Sequence, residues 1–460
     1  MTPARRVAVI DVGKTNAKLA LVDLAELREV DVCETRNTVV PGDPYPHHDV
    51  DALWAFLLES LREVDARHGV EAITATTHGA SAVLVGDDGQ PVVPMLDYEH
   101  DGPDELADEY DRLRPAFARS GSPRLPRGFN LGAQLHWLLR TRPELREHLA
   151  HVVTYPQYWV GRLTGTWCTE VTSLGCHTDL WLPAEGKLSE LVERLGLEGR
   201  MAEVRRAGDR IGTVLSSVAR ATGLRPDTPV FCGIHDSNAS LYPHLLERDG
   251  PFSVLSTGTW VITMAVGGDP GRLDPARDTL MNVDAFGHPV PSARFMGGRE
   301  FEICLGDAPV TPSEEAVAAV LRRGLALSPA VVPTSGPFQG RQARWSEPEA
   351  GLDEGERAAA VSFYLAMMAS TCLELTGAEG PVVVEGPFAQ NRRFLDLVAV
   401  ACGRPVLTST GSLTGTSIGA ALLVAEEVPR VGGTEAHIVP EGVYRDDLAR
   451  YAERWRRLAR

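Results

Sequence analysis

The sequence is short of positive charge, of aromatic residues and of long apolar runs. Lys and Arg number 45 against 62 Asp and Glu, a formal net charge of −17. Such a surface repels nucleic acid and anionic membranes, although a local loop with a metal ion can still hold a small anion. No run of eighteen apolar residues occurs, which argues against a transmembrane helix. The opening Met1 to Arg6 lacks an apolar h-region and leads directly into Val7-Ala8-Val9-Ile10, so no signal peptide is expected. The seven cysteines form no paired C-x-x-C pattern. Cys232 and His235 have metal-like spacing, but no second pair follows. The expectation is a reduced cytoplasmic protein with small buried thiols.

What is present is ordinary globular material, 43% hydrophobic and 23% charged over 460 residues. That length exceeds one core and predicts two domains, over 1–246 and 251–460, divided at the charged, Gly- and Pro-containing stretch Glu247 to Pro251. Val7 to Ile10 and Lys18 to Val22 read as strands around the turn Asp11-Val12-Gly13-Lys14-Thr15-Asn16-Ala17. Asp51 to His68 has helical apolar spacing, and Ala72 to Thr77 reads as a strand. Asp87-Asp88-Gly89 suggests a hairpin between 82–85 and 91–94, and a helix follows over 131–140. Phe252 to Ser256 and Val261 to Val266 form a second strand pair around Thr257-Gly258-Thr259-Trp260. Its likeness to the first pair hints at an internal duplication. From Glu354 onward helix and strand alternate, with helices over 354–377, 392–402 and 416–427 and strands over 381–385 and 404–408. The picture is α/β, two domains with a cleft between them.

Short turns rich in Gly, Thr, Ser and Asn leave backbone N–H groups free to face an anion. Two such turns, one in each half, could grip a polyphosphate; each is equally readable as a plain hairpin turn. A P-loop is excluded because Ala8 stands where its first Gly belongs and a strand, not a helix, follows Thr15. Asp11, at the end of a buried strand, is placed to orient a hydrated Mg²⁺; a turn cap is the alternative. His235-Asp236 stands where a strand ends and a helix begins. Asp236 is there either a general base for a hydroxyl or an N-cap. His235 is either a base or a packed structural residue.

Taken together these segments resemble the FGGY carbohydrate kinases. The run Asp11 to Lys18 resembles that family's first phosphate motif, Ser256 to Trp260 the second, and Gly233-Ile234-His235-Asp236-Ser237-Asn238-Ala239 the segment carrying its catalytic aspartate. Thr77-His78-Gly79 and Leu96-Asp97 resemble sugar-contacting segments. Glu385-Gly386-Pro387-Phe388-Ala389-Gln390-Asn391 resembles the adenosine turn, and Ser417-Ile418-Gly419-Ala420-Ala421 the helix after it. Phe129-Asn130 and Gln390-Asn391 lean toward kinases of deoxy-ketoses such as L-rhamnulose or L-fuculose.

The resemblance implies two actin/hexokinase-like (ribonuclease H-like) domains with an interdomain cleft, and ATP-dependent phosphorylation of a small sugar or polyol. It implies Asp236 as base and Asp11 as the Mg²⁺ residue. ATP would be held by Gly13, Lys14, Thr15, Asn16, Thr257, Gly258, Thr259, Gly386, Gln390 and Asn391. His78, Gly79, Asp97 and His177 would hold the sugar. Lys14 and Asn16 depart from the small or hydroxyl residues usual in the first motif, and Lys14 is either an extra phosphate cation or a solvated turn lysine. A homodimer is compatible with this reading; nucleic acid and membrane are not expected partners. The rival functions are a sugar-independent ATPase of the same fold and a non-enzymatic sugar sensor.

Overall fold

In the computed structural model of the protein, residues 4–306, 310–409, 415–425 and 435–460 are described. The chain divides into two compact units. Unit 1 comprises 1–248, 281–289 and 412–432; unit 2 comprises 249–280, 290–411 and 433–460. The main division, between Arg248 and Asp249, falls within the stretch 247–251 singled out above. Two later segments, 281–289 and 412–432, return to unit 1.

Unit 1 is built on a sheet with strand order Arg210–Thr213, Pro229–Phe231, Ala72–Thr77, Arg6–Val12, Asn16–Asp23, Arg28–Arg36. Arg6–Val12 runs antiparallel to Asn16–Asp23 and parallel to Ala72–Thr77. Its apolar residues Val7 to Ile10 and Val12 are fully buried. Strands covered on both faces read as continuous apolar runs, which is why this one was legible. Ile234–His235 also pairs parallel with Ala72–Thr77. The carboxyl ends of three strands, at Val12, Thr77 and His235, therefore meet at one edge of the sheet.

Unit 2 repeats this plan. Phe252–Thr257 runs antiparallel to Val261–Val266, which pairs antiparallel with Pro289–Phe295, and Phe252–Thr257 is flanked on its other side by parallel Val382–Glu385 and then Val406–Ser409. The shared strand order carries the duplication further than the two hairpins alone. The helix Glu354–Leu375 is long and apolar enough to cross a membrane by length and composition, but 89% of its apolar window is buried inside the protein. Phe363, Leu365, Met367 and Met368 place it in the core of unit 2.

One predicted hairpin is only half formed. The turn closes with the Val92 N–H donating to Leu84 O, yet Ala82–Val85 takes His151–Thr154 as its ladder partner. The second arm contributes one bridge, Val85 to Pro91, because Pro91 and Pro94 have no N–H to extend a ladder. The predicted helix over 416–427 is observed as Thr416–Leu422, and positions 426–427 lie outside the described residues.

Candidate active site

The first hairpin turn is closed by the Gly13 N–H donating to Asn16 O at 2.9 Å, and Asn37 braces it from below by donating to Gly13 O at 2.8 Å. Thr15 and Asn16 are exposed, while Asp11 is buried two residues before the turn. The Asp11 carboxylate accepts from the hydroxyls of Thr416 at 2.5 Å and Ser417 at 3.1 Å, and Lys18 Nζ lies 3.7 Å away. Burial still pushes this carboxyl above the ordinary range, with Asp236 adding like charge. Thr416 and Ser417 begin a helix that packs closely in unit 1: a Cβ on Gly419 would lie 1.8 Å from Ala239 O. That glycine lets the helix approach the one that starts at Asp236.

Asp236 opens the helix Asp236–Glu247, and His235 holds the cap position without a side-chain cap bond. Asp236 stands at the first helical position, one residue after the cap, and its carboxylate still takes up a first-turn N–H. Its Oδ1 accepts from the Ser237 N–H at 2.5 Å and lies 3.2 Å from His235 Nε2. The His235 ring is buried, and burial lowers its pKa, so it is neutral. Its Nδ1 is 3.3 Å from Asn238 Nδ2, an amide donor, which leaves the proton on Nε2 to face Asp236. Gly79 makes room for this ring, since a Cβ there would lie 2.8 Å from His235 Nε2. The backbone N–H of His235 donates to the Thr172 hydroxyl, which donates to the buried Glu170. The Asp236 side chain is 30% exposed and has no Lys or Arg partner among the described residues, so one face is open to a reactant.

His78 follows the strand Ala72–Thr77 and donates from Nδ1 to Gly79 O at 3.0 Å. Its ring lies against Tyr98, Tyr155 and His48, and the charge of Asp236 reaches it. Asp97 forms an ion pair with Lys14, whose ammonium also sits 4.4 Å over the Tyr98 ring. Lys14 thus keeps company with Asp97, not with the other turn residues grouped with it in the sequence. His177, in left-handed backbone, meets Phe129 O through Nδ1 at 2.6 Å, and Phe129 stacks near Tyr98.

In unit 2, Gly258 and Thr259 sit at the rim of a cavity of about 540 Å³. Its walls are apolar at Phe301, Leu305, Val310, Ala358 and Phe388 and polar at Gln390 and Asn391. An apolar slot with a few polar groups suits a flat heterocycle. Thr257 takes a different task from Thr259. Its hydroxyl donates to Glu385 O and accepts from the Phe388 N–H at 3.0 Å, tying the turn after Val382–Glu385 to the hairpin. Gly386, with φ +79°, permits that approach, since a Cβ would lie 1.9 Å from Thr257 O. Asn391 caps the next helix by accepting from the Phe394 N–H at 3.1 Å and donates to Ser362.

The sequence reading did not single out Thr416, His48 or Tyr98. Thr416 lies 405 residues from the carboxylate it holds, and no local pattern pairs the two.

Residues 7–242 match the FGGY family of carbohydrate kinases, N-terminal domain, and residues 249–431 the carbohydrate kinase FGGY, C-terminal domain. An L-fuculokinase of Escherichia coli (strain K12) is 27% identical over 270 residues, 56% of this chain and 56% of that protein. A rhamnulokinase of Pectobacterium carotovorum subsp. carotovorum (strain PC1) is 27% identical over 266 residues, 56% of this chain and 52% of that protein. The chain thus spans about half the length of these relatives. A crystal structure of a carbohydrate kinase from Novosphingobium aromaticivorans superposes with a TM-score of 0.90 at 38% identity, covering 99% of this chain and 98% of that one. Xylulose kinase from Lactobacillus acidophilus, at TM-score 0.78 and 15% identity over 98% and 96% of the two chains, shares the fold. The two-unit α/β architecture is the actin/hexokinase-like one, and the chain belongs to the FGGY family of carbohydrate kinases.

Proposed function

We propose that the protein transfers the γ-phosphoryl group of ATP to a hydroxyl of a small ketose or deoxy-ketose, with Asp236 as general base. The observation that carries this reading is the state of Asp236. Its carboxylate stands at the first position of a helix, is partly open to solvent, and receives a hydrogen bond from a neutral buried His235. Asp236 takes the proton of the attacking hydroxyl, the hydroxyl oxygen bonds to the γ-phosphorus, and the bond to the β–γ bridging oxygen breaks to release ADP.

The cavity of unit 2 suits the adenine, and the Gly258–Thr259 and Gly13–Asn16 turns suit phosphate oxygens. The donor set fits a Mg²⁺ that arrives with the phosphates rather than one caged by protein. Asp11 offers a carboxylate at the strand end, and among the described residues no three His, Cys, Asp or Glu gather as a metal site. Such an ion supplies charge neutralisation at the transferred group. Asp11 would hold it through water, and the Thr416 and Ser417 hydroxyls fix the carboxylate for that task.

The relatives' names supply the first compounds to try. Purified protein is incubated with MgATP and a panel containing L-fuculose, L-rhamnulose and xylulose, and ADP release is followed. Strong stimulation by one or two of these is the expected result. Release that no sugar stimulates would replace the reading with a sugar-independent ATPase.

A further inference from the structure

Three histidines of unit 1 lie near the expected sugar side, and their hydrogen-bond partners fix which nitrogen of each carries the proton. Asn37 Nδ2 donates to Gly13 O, so its Oδ1 is the group 3.3 Å from His48 Nδ1. An amide oxygen only accepts, so His48 Nδ1 carries the proton and Nε2 is a bare lone pair. His78 follows the same logic. Its Nδ1 meets the Gly79 carbonyl, which leaves Nε2 as an acceptor. His235 is the opposite tautomer, with its Nε2–H spent on Asp236.

His48 is 1% and His78 7% exposed, and neither Nε2 has a hydrogen-bond partner. A buried unpaired acceptor is costly, about 1–3 kcal/mol each, and two whose rings lie 5.6 Å apart are not an accident of packing. Nor will protonation relieve them. Burial, helped by the His78 and Lys14 charges against the opposing charge of Asp97, pushes the His48 pKa down to about 3, and burial likewise lowers that of His78.

The Asp97 carboxylate faces the His48 lone pair as a further acceptor, and the nearby donor is the Lys14 ammonium that binds Asp97. Asp97 Oδ1 is 4.0 Å from His48 Nε2 and is bound to the Lys14 ammonium. Lys14 is the accessible member of the cluster, its side chain 21% exposed against 7% for Asp97 and none for His48. Tyr98, under the Lys14 ammonium, and Phe129 beside it add an apolar wall.

We propose that Lys14 and His48 are specificity-determining residues on the sugar side, which together with Asp97 and His78 read a pair of neighbouring hydroxyls. Each hydroxyl donates to an acceptor, either a histidine lone pair or Asp97, and accepts from the Lys14 ammonium. Lys14 yields part of its hold on Asp97 to admit them. The C–H face of the ligand lies on Tyr98 and Phe129. The preferred ligand is therefore a neutral polyhydroxy compound with two adjacent free hydroxyls in addition to the one that is phosphorylated. A site built this way rejects an analogue lacking one of those hydroxyls, because the partner group is then left buried and unpaired. The inference rests on the kinase reading, and it moves Lys14 from the nucleotide to the sugar.

The test measures binding as well as turnover, so that failure of one is separable from failure of the other. Sugar affinity without nucleotide is measured by calorimetry with the best compound of the panel and with its singly deoxygenated analogues. KM for sugar and for MgATP are measured in the same preparations. Lys14→Met is expected to weaken sugar binding about 10- to 100-fold, to flatten the preference over the deoxy analogue, and to leave KM for MgATP within about twofold. His48→Leu is expected to follow the same pattern, and it carries the test if Lys14→Met does not fold. A variant whose KM for MgATP rises as much as that for sugar, or whose sugar binding is unchanged, overturns the proposal. Sugar binding by the wild type without any phosphoryl transfer would instead overturn the kinase reading and leave this site standing.

Discussion

The two hairpins that open the two units share a backbone and differ in their chemistry. In each, a buried strand runs into a Gly-containing turn and returns antiparallel, with a parallel strand on the other side. Each turn glycine donates to a carbonyl on the returning arm, Gly13 to Asn16 O and Gly258 to Trp260 O. Two residues before the glycine stands Asp11 in one and Ser256 in the other; one residue after it stands Lys14 in one and Thr259 in the other. The unit 1 copy carries charge and neighbours Asp236, whereas the unit 2 copy carries hydroxyls and borders an apolar cavity. One frame thus carries two chemistries: the unit 1 copy places charge beside Asp236, and the unit 2 copy presents hydroxyls beside a cavity whose largely apolar lining also includes Glu302, Arg392 and Arg393.

The largest break in that comparison is expected at the charged copy's neighbour. Asp236→Asn removes the base while keeping the shape, and should lower sugar-dependent kcat by about 10²- to 10⁴-fold. MgATP binding, followed by calorimetry, should persist because the apolar cavity is untouched. Full turnover in this variant would remove Asp236 from the chemistry.

Burial of acid offers a second point of comparison. Glu170 in unit 1 and Glu300 in unit 2 are both fully buried, and burial pushes each carboxyl up to about 7 from an ordinary 4.5. Glu300 accepts from the Val332 N–H at 3.0 Å and the Tyr364 hydroxyl at 2.9 Å. A carboxyl raised on folding stabilises the native state fully below its unfolded value, near 4.5. That contribution is lost as pH rises through about 7. Glu300→Gln cannot ionise, so its stability relative to wild type should rise by about 3 kcal/mol between pH 4 and pH 8. Urea unfolding at the two pH values measures this, and a difference that does not change with pH would show that folding leaves the Glu300 carboxyl unshifted.

The second hairpin contains its own contrast. Thr257→Val strips two buried backbone groups, Glu385 O and the Phe388 N–H, of their partner. A stability loss of about 2 kcal/mol is expected, read as a lower melting temperature with or without sugar. An unchanged melting temperature would mean that the hydroxyl does not hold the turn at 386–388.

The frame was legible because buried strands and amphipathic helices write their own periods. The strand Ala72–Thr77 and the helices Val50–His68 and Arg392–Cys402 were read nearly to the residue, whereas Arg6–Val12 was read only over its apolar run 7–10, because Asp11 and Gly13 marked a turn. Asp11, His78 and Asp236 were singled out because each lies near the end of a readable strand or just after one. What local pattern could not give was partnership across the chain. Nothing near Thr416 says that it will bond to Asp11, and nothing near Lys14 says that its ammonium will reach Asp97. The two threonines of one turn looked interchangeable because side-chain type was visible and side-chain direction was not. The return of 412–432 to unit 1 was hidden for the same reason: composition marks a linker, but only packing such as that of Gly419 on Ala239 assigns the segment.

The smallest expected effect sharpens the comparison most. Thr259 differs from Thr257 in being exposed where it lines the cavity. If its hydroxyl serves a phosphate oxygen, one hydrogen bond to a charged acceptor is at stake, worth about 1.5 kcal/mol at an exposed site. Thr259→Ala should then raise KM for MgATP about tenfold and leave the melting temperature and KM for sugar unchanged. The opposite pattern, a lower melting temperature with MgATP unaffected, would make both threonines structural. The second hairpin would then contribute backbone N–H groups and shape alone, and the contrast with the charged first hairpin would be sharper still.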